Sequence, residues 1–166
     1  MKIREATEQD FERIWPIFRE IVAAGETYAY ARDTTKEQAL RIWIEAPRKT
    51  FVVEEAGNTL GTYYIKTNQQ GPGDHVCNCG YMVSSTARGR GLATAMCEHS
   101  QDVAKTLGFK AMQFNFVGWK HSYPPPSGPG IFSRSGPLVN ATGSRKMATS
   151  RVVGISDGPD GPRSCP

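Results

Sequence analysis

The stretch "SSTARGRGLATAM" (residues 84–96) decides the predicted fold, because it joins a strand to a helix through a loop with two glycines and two arginines. The run before it, "HVCNCGYMV" (residues 75–83), alternates as a strand does. The residues after it share one helical face at Leu92, Met96, Val103 and Leu107. The first amides of a helix have no partner inside the helix, and the helix dipole attracts negative charge to them. The junction therefore suits a bound phosphate.

The loop residues strengthen this interpretation. Gly89 and Gly91 carry no side chain that would hold a phosphate away from the backbone, and Arg88 and Arg90 supply charged donors. A P-loop would need Gly-Lys-Ser/Thr after a four-residue gap, which the sequence lacks. A dinucleotide-binding fingerprint would need glycine at Thr94 and an acidic residue about twenty positions on. A basic helix start without a ligand is the remaining alternative, and a pyrophosphate suits the loop best.

Composition excludes several classes of protein. The 166 residues suit one domain, and 39% hydrophobic with 22% charged residues is typical of a soluble globular chain. The net charge of +4 comes from residues 118–166, because residues 1–117 carry 14 basic and 14 acidic side chains. No basic face interleaved with aromatic residues accompanies this charge, so we expect no nucleic-acid partner. No signal peptide and no long apolar run occur, so we expect a cytoplasmic protein without a membrane partner.

Hydrophobic periodicity and turn residues predict the element order. The chain is expected to contain a strand at 2–7, helices beginning near Phe11 and Thr35, a hairpin over 49–68 turning at Gly57-Asn58, a strand at 75–83, a helix ending near Leu107 and a strand at 110–117. Pro16 lacks the amide that a helix interior uses, so a kink or a restart is expected there. The order indicates an α+β or α/β fold.

Residues 88–93 read Arg-Gly-Arg-Gly-Leu-Ala and match the motif Q/R-x-x-G-x-G/A. With its strand and helix, this stretch resembles the GNAT acyltransferase superfamily. The run over residues 61–83 further resembles a bacterial subgroup near the phosphinothricin and amino-acid N-acetyltransferases. The resemblance covers residues 1–117 and implies a three-layer fold, with helices on both faces of a mixed sheet. It also implies transfer of an acetyl group from acetyl-CoA to an amine.

The same resemblance implies the cofactor-binding residues. The pyrophosphate of CoA is expected on the backbone amides of Arg88, Gly89, Arg90, Gly91, Leu92 and Ala93. In this family the preceding strand splays from its neighbour and binds the pantetheine arm, which places Met82 and Val83 beside the cofactor. No metal is expected, because Cys77 and Cys79 lack the further ligands that would complete a site, and packing explains both residues.

Acceptor and catalytic residues are less sharply indicated. An amine needs a base before it can attack, and Glu26 and His75 are the candidate bases, directly or through water. A solvated loop acid and a strand-edge histidine bonded to backbone are the competing interpretations. Tyr28 and Tyr30 are candidate residues for the floor of the acceptor pocket, or packing residues, and Asn78 is predicted to face the acceptor. A homodimer is an open expectation, because dimers are common in the family.

Residues 118–166 depart from the family. Glycine and proline contribute 16 of these 49 residues, so they cannot form the helix and hairpin that normally complete the GNAT fold. The segment is either a disordered tail or a frameshifted copy of that ending, since a one-base shift at residues 124–128 permits Ala-Ala-Val-Arg. The prediction is an incomplete domain at 1–117, truncated after the fifth strand, with a bare strand edge and weakened activity. A catalytically impaired CoA-binding module is the alternative function.

Overall fold

The computed structural model describes residues 1–117, 138–139, 145–146 and 148–154. Its strands are β1 Lys2–Glu5, β2 Lys49–Glu55, β3 Asn58–Thr67, β4 Val76–Val83, β5 Ala111–Val117, β6 Leu138–Val139, β7 Arg145–Lys146 and β8 Ala148–Gly154. Its helices are α1 Phe11–Ala24, α2 Lys36–Leu40, which continues as a π-helical turn over Arg41–Glu45, and α3 Leu92–Thr106. The predicted order of strands and helices up to residue 117 is confirmed.

Six strands form one sheet in the order β1-β2-β3-β4-β5-β8. All neighbours are antiparallel except β4 and β5, which are parallel because α3 crosses between them. Two apolar cores cover the two faces. One lies under α3 and contains Tyr63, Met96 and Met112, and the other lies under α1 and α2 and contains Phe18 and Trp43. The predicted three-layer arrangement with a mixed sheet is therefore confirmed.

The expected bare edge of the fifth strand is wrong. β8 pairs with β5 along its whole length, from Ala111 opposite Gly154 to Val117 opposite Ala148. The sheet therefore does not end at the fifth strand. Sequence reasoning did not identify this strand, because strand pairing depends on a partner far away in the chain. The predicted boundary at residue 117 and the disordered or frameshifted tail fall mostly on residues outside the described ones, and they stay predictions.

Three local expectations can be compared with the structure: the helix at Pro16, the turn of the hairpin and the capping box of α2. α1 does not restart at Pro16, since the helix runs unbroken from Phe11 to Ala24 and loses one backbone hydrogen bond at that ring. The turn of the hairpin is Ala56-Gly57, one residue earlier than predicted, and both residues have positive φ. The capping box of α2 is confirmed, because the Thr35 amide donates to Gln38 Oε1 and the Gln38 amide donates to Thr35 Oγ1.

Candidate active site

The parallel strands β4 and β5 separate after three paired positions. Val76, Cys77 and Asn78 lie opposite Ala111, Met112 and Gln113, and the pairing stops there. The rest of β4 pairs only with β3, and the rest of β5 pairs only with β8, among the residues that the structure describes. An opening therefore begins beyond Asn78 and widens toward the carboxyl end of β4. We call residues 76–78 the closed half of β4 and residues 79–83 its open half.

The direction of the backbone groups along β4 follows from three hydrogen bonds. The carbonyl of His75 accepts the amide of Lys110 at 2.9 Å, on the β5 side. The carbonyl of Val76 and the amide of Ser84 bond to the β3 side, at 2.9 Å each. Alternate residues of a strand direct their N–H and C=O groups to the same edge. Residues 79, 81 and 83 therefore direct these groups into the opening.

This alternation distinguishes Val83 from Met82, the two predicted cofactor-binding residues of β4. The backbone groups of Val83 face the opening, as those of Tyr81 do. The backbone groups of Met82 face β3, where Met82 lies opposite Thr62, and its side chain is buried in the core under α1 and α2. Sequence reasoning missed Tyr81, because the pairing direction of a strand cannot be read from its own residues.

Side chains hold the open half in place where β5 no longer does. On the α3 face, the Tyr81 hydroxyl and Ser100 Oγ form a hydrogen bond of 2.7 Å. On the opposite face, the Tyr28 hydroxyl donates to the Tyr81 carbonyl oxygen at 2.8 Å. Burial raises the pKa of Tyr28 well above its ordinary value, so this phenol stays protonated as a donor. Tyr28 thus contacts the open half of β4, and its role in acceptor binding stays a prediction.

The loop after β4 brings bare amides to the end of the opening. Ala87 and Leu92 are buried and anchor the loop at both ends, so that Arg88, Gly89, Arg90 and Gly91 are exposed between them. Gly89 and Gly91 both have φ of +74°, which explains glycine at these positions. A Cβ at either glycine would meet no heavy atom within 4 Å, so there is room for a ligand.

The start of α3 lacks a cap. Gly91 is the N-cap residue and forms no side-chain cap hydrogen bond, and the first helical bond runs from the Ala95 amide to the Gly91 carbonyl at 3.0 Å. The amides of Leu92, Ala93 and Thr94 precede that bond and have no helical acceptor. These uncapped amides therefore fit an anionic group such as a pyrophosphate, the ligand that the loop sequence predicts.

The two arginines of the loop differ. Arg90 forms an ion pair with Glu55 at the end of β2, with 2.6 Å between its Nη2 and Glu55 Oε2. Its hydrogen bond holds the pKa of the Glu55 carboxyl below its ordinary value. Ser85 donates to Glu20 of α1 at 3.1 Å, which ties the other end of the loop. Arg88 is exposed and stands before the glycines, so it is the arginine better placed to meet a phosphate.

The three predicted acceptor residues lie in two different places. Tyr28 and Tyr30 stack with centroids 5.4 Å apart, and Tyr30 also stacks on Phe18. Asn78 is buried, and its Nδ2 donates to the Gln113 carbonyl oxygen at 3.0 Å, which fastens the last paired position of β4 and β5. Asn78 therefore lies at the inner end of the opening, bonded to a neighbouring strand.

The two candidate bases lie at different distances from the opening. Glu26 is exposed and directly precedes the Tyr28 segment, two residues from the tyrosine that reaches Tyr81. His75 is exposed at the closed end of β4, and its Nδ1 contacts the Pro72 carbonyl oxygen at 3.0 Å. Six residues of strand separate His75 from Tyr81, which is about 20 Å. Glu26 thus lies next to the segment that contacts the open half of β4, and His75 lies at the closed end.

The cysteines of β4 pack as expected. Cys77 is buried in the core under α3, and Cys79 packs against the same core. Among the described residues, no group of three or more His, Cys, Asp or Glu side chains could hold a metal ion. None of the described helices is both long enough and apolar enough to cross a lipid bilayer.

Comparison with known proteins adds relatives. The "N-acetyltransferase aca1" of Schizosaccharomyces pombe is 38% identical over 68 residues, which span 41% of this chain and 32% of that protein. This chain thus matches about a third of the length of that curated relative. The structure of a GCN5-related N-acetyltransferase from Kribbella flavida is 31% identical in sequence, with a TM-score of 0.68. The alignment covers 92% of this chain and 97% of that chain.

A second solved structure shares the fold at lower identity. It is a GNAT superfamily phosphinothricin acetyltransferase from Sinorhizobium meliloti in complex with AcCoA, with a TM-score of 0.72 at 21% identity. The alignment covers 99% of this chain and 92% of that one. The family model described as "Acetyltransferase (GNAT) family" matches residues 5–118, which include the open half of β4 and the whole loop before α3. The chain therefore belongs to the GNAT acetyltransferase family.

Proposed function

We propose that this chain is an acetyl-CoA-dependent N-acetyltransferase that acetylates the amine of a small molecule, an amino acid or an analogue, by direct attack. The observation that carries the proposal is the continuity of two sets of unpaired amides. The open half of β4 directs amides into an opening, and that opening ends at the uncapped start of α3. A cofactor with an amide-rich arm and a pyrophosphate matches both sets.

Each part of this surface has a distinct task in the proposal. The amides from Gly91 to Thr94 hold the pyrophosphate, and Arg88 adds charge. The amides of Tyr81 and Val83 face the pantetheine arm, and one of them donates to the thioester oxygen as negative charge develops there. These donors are fixed before the substrate binds, because β3 and the Tyr81–Ser100 hydrogen bond hold the strand.

Glu26 is the candidate base in this proposal. It accepts a proton from the acceptor ammonium, and the free amine nitrogen then attacks the thioester carbonyl carbon. The carbon–sulfur bond breaks, and the leaving thiolate of CoA takes up the second proton of the amine nitrogen, so that the products are the amide and the CoA thiol. Tyr28 and Tyr30 form the wall beside the acceptor. The bacterial phosphinothricin or amino-acid subgroup, a cytoplasmic location and a homodimer are further parts of the proposal, supported by the sequence resemblance.

A thiol-release assay with a panel of amines tests the proposal, together with a thermal-shift titration with acetyl-CoA. We expect acetyl-CoA to raise the melting temperature and at least one small amine to release CoA thiol. Glu26→Gln should lower kcat by about 100-fold with unchanged acetyl-CoA affinity, since a general base contributes about that much. His75→Gln is the matched control and should change kcat little.

Two outcomes would contradict the proposal. Stabilisation by acetyl-CoA without turnover of any amine would indicate a CoA-binding module. A stronger effect of His75→Gln than of Glu26→Gln would show that the base lies at the closed end of β4.

A further inference from the structure

A shallow groove of about 440 Å³ lies between the loop that carries Tyr30 and the helical segment around Arg41. Tyr30 and two alanines of the 29–31 segment form one wall, and Thr34, Gln38, Arg41 and Ile42 form the other. Arg41 begins the π-helical turn that follows α2, and its side chain is exposed. The groove is therefore built by the loop that carries the acceptor-side tyrosines and by the helix that follows it.

The polar groups of this groove favour an anion. Arg41 is the charged side chain among the lining residues. The carbonyl oxygen of the Gln38 side chain accepts the Thr35 amide at 2.9 Å, which leaves the Nε2 group as its remaining hydrogen-bonding group, a donor. Glu37 lies one helical turn before Arg41 and is not a lining residue. A carboxylate matches a guanidinium with an amide donor beside it.

Tyr30 connects the groove to the opening. Its ring lines the groove and also stacks on Tyr28 at 5.4 Å with an interplanar angle of 6°. The Tyr28 hydroxyl in turn reaches the Tyr81 carbonyl in the open half of β4. A molecule that extends from the opening to Arg41 must therefore span at least the distance between the Tyr28 and Tyr30 rings. The 5.4 Å between the two ring centroids already exceeds the separation of the amine nitrogen and the carboxylate carbon in an α-amino acid, because both are bonded to one carbon.

We propose that Arg41, with Gln38, binds the carboxylate of the acceptor, so that the acceptor is an ω-amino acid whose amine and carboxylate lie several bonds apart. This inference rests on the proposed function, because it requires the acceptor amine to lie at the opening. It assigns acceptor selection to the second helix, at a distance from the acetyl-CoA loop.

The test uses the full chain with acetyl-CoA and a series of ω-amino acids of increasing length, each paired with its carboxamide. We expect the wild-type protein to prefer the carboxylate over the carboxamide, and longer members over glycine. Arg41→Gln should lower kcat/KM for the carboxylate by about tenfold, with the loss mainly in KM and no change for the carboxamide. Arg41→Lys should restore part of the preference, since it keeps the charge.

The controls separate this inference from the proposed function. Arg19→Gln removes an exposed arginine from α1 and should leave the carboxylate preference intact. Equal use of carboxylate and carboxamide by the wild-type protein, or an unchanged preference in Arg41→Gln, would overturn the role of Arg41 while the acetyltransferase activity stands. If acetyl-CoA binds and no amine is acetylated, the proposed function fails, and this inference fails with it.

Discussion

The closed half and the open half of β4 belong to one strand and differ in what lies beside them. Residues 76–78 have a strand on each side, and residues 79–83 have β3 on one side and an opening on the other. In the closed half the Asn78 side chain also bonds to β5. In the open half the carbonyl of Tyr81 bonds to a tyrosine from a loop instead of to a strand.

This difference teaches that the candidate site consists of backbone groups left without a neighbouring strand as well as of side chains. The open half is as regular as the closed half, with unbroken pairing to β3 from Cys77 to Val83. Its amides are available because the pairing of β5 with β4 ends at Gln113. The helix that begins at Leu92 then adds its own uncapped amides at the end of the same opening.

The largest expected effect comes from Gly91→Val, which places a side chain on the amides at the end of the opening. We expect acetyl-CoA affinity to fall at least about 100-fold, because a branched side chain occupies the space of the pyrophosphate and resists a φ of +74°. Titration calorimetry measures the affinity. Gly57→Val is the matched control, since Gly57 has φ of +79° with open space around it in the β2–β3 turn. Equal loss of affinity in both variants would show that strain, and not the ligand site, is responsible.

An intermediate effect is expected from Gly80→Ala, which disturbs the packing of the open half. A Cβ at Gly80 would lie 2.6 Å from Cε1 of Tyr64, whose ring packs edge-on against Trp43 at 4.8 Å and cannot easily move. Overpacking of this kind costs about 1–3 kcal/mol in the free energy of unfolding. Urea denaturation measures the cost. Gly154→Ala on β8 is the control, because its Cβ would meet nothing within 4 Å, and a similar cost there would refute the packing argument.

The smallest effect is expected from Asn78→Ala, which tests the closed half of β4. Asn78→Ala removes the buried hydrogen bond to the Gln113 carbonyl and should lower the free energy of unfolding by about 1–2 kcal/mol. Acetyl-CoA affinity should stay unchanged, since the closed half directs no amide into the opening. Asn68→Ala removes a less buried bond to the Gln113 side chain and should cost less. A large drop in acetyl-CoA affinity in Asn78→Ala would mean that the two halves act as one site.

Sequence reasoning predicted the loop because its signal is local. Two glycines and an apolar run at helical spacing are enough to indicate a turn that exposes amides at the start of a helix, and Gly89, Gly91 and Leu92 behave accordingly. It predicted the alternation of β4 for the same reason. It wrongly allowed a restart of the helix at Pro16, where burial of Ile14, Ile17 and Phe18 outweighs one missing hydrogen bond. It failed again at β8, whose partner β5 lies about thirty residues earlier in the chain.

The sequence by itself determined the glycine loop before α3, the order of elements up to residue 117 and the residues that face each core, because each depends on local backbone preference or on apolar spacing. Only the tertiary structure decided which edge of β4 is open, that Tyr81 and Val83 present their amides there, and that Arg90 is engaged by Glu55. These features depend on strands and side chains that are distant in sequence. Their positions are fixed only when the sheet and its two cores assemble.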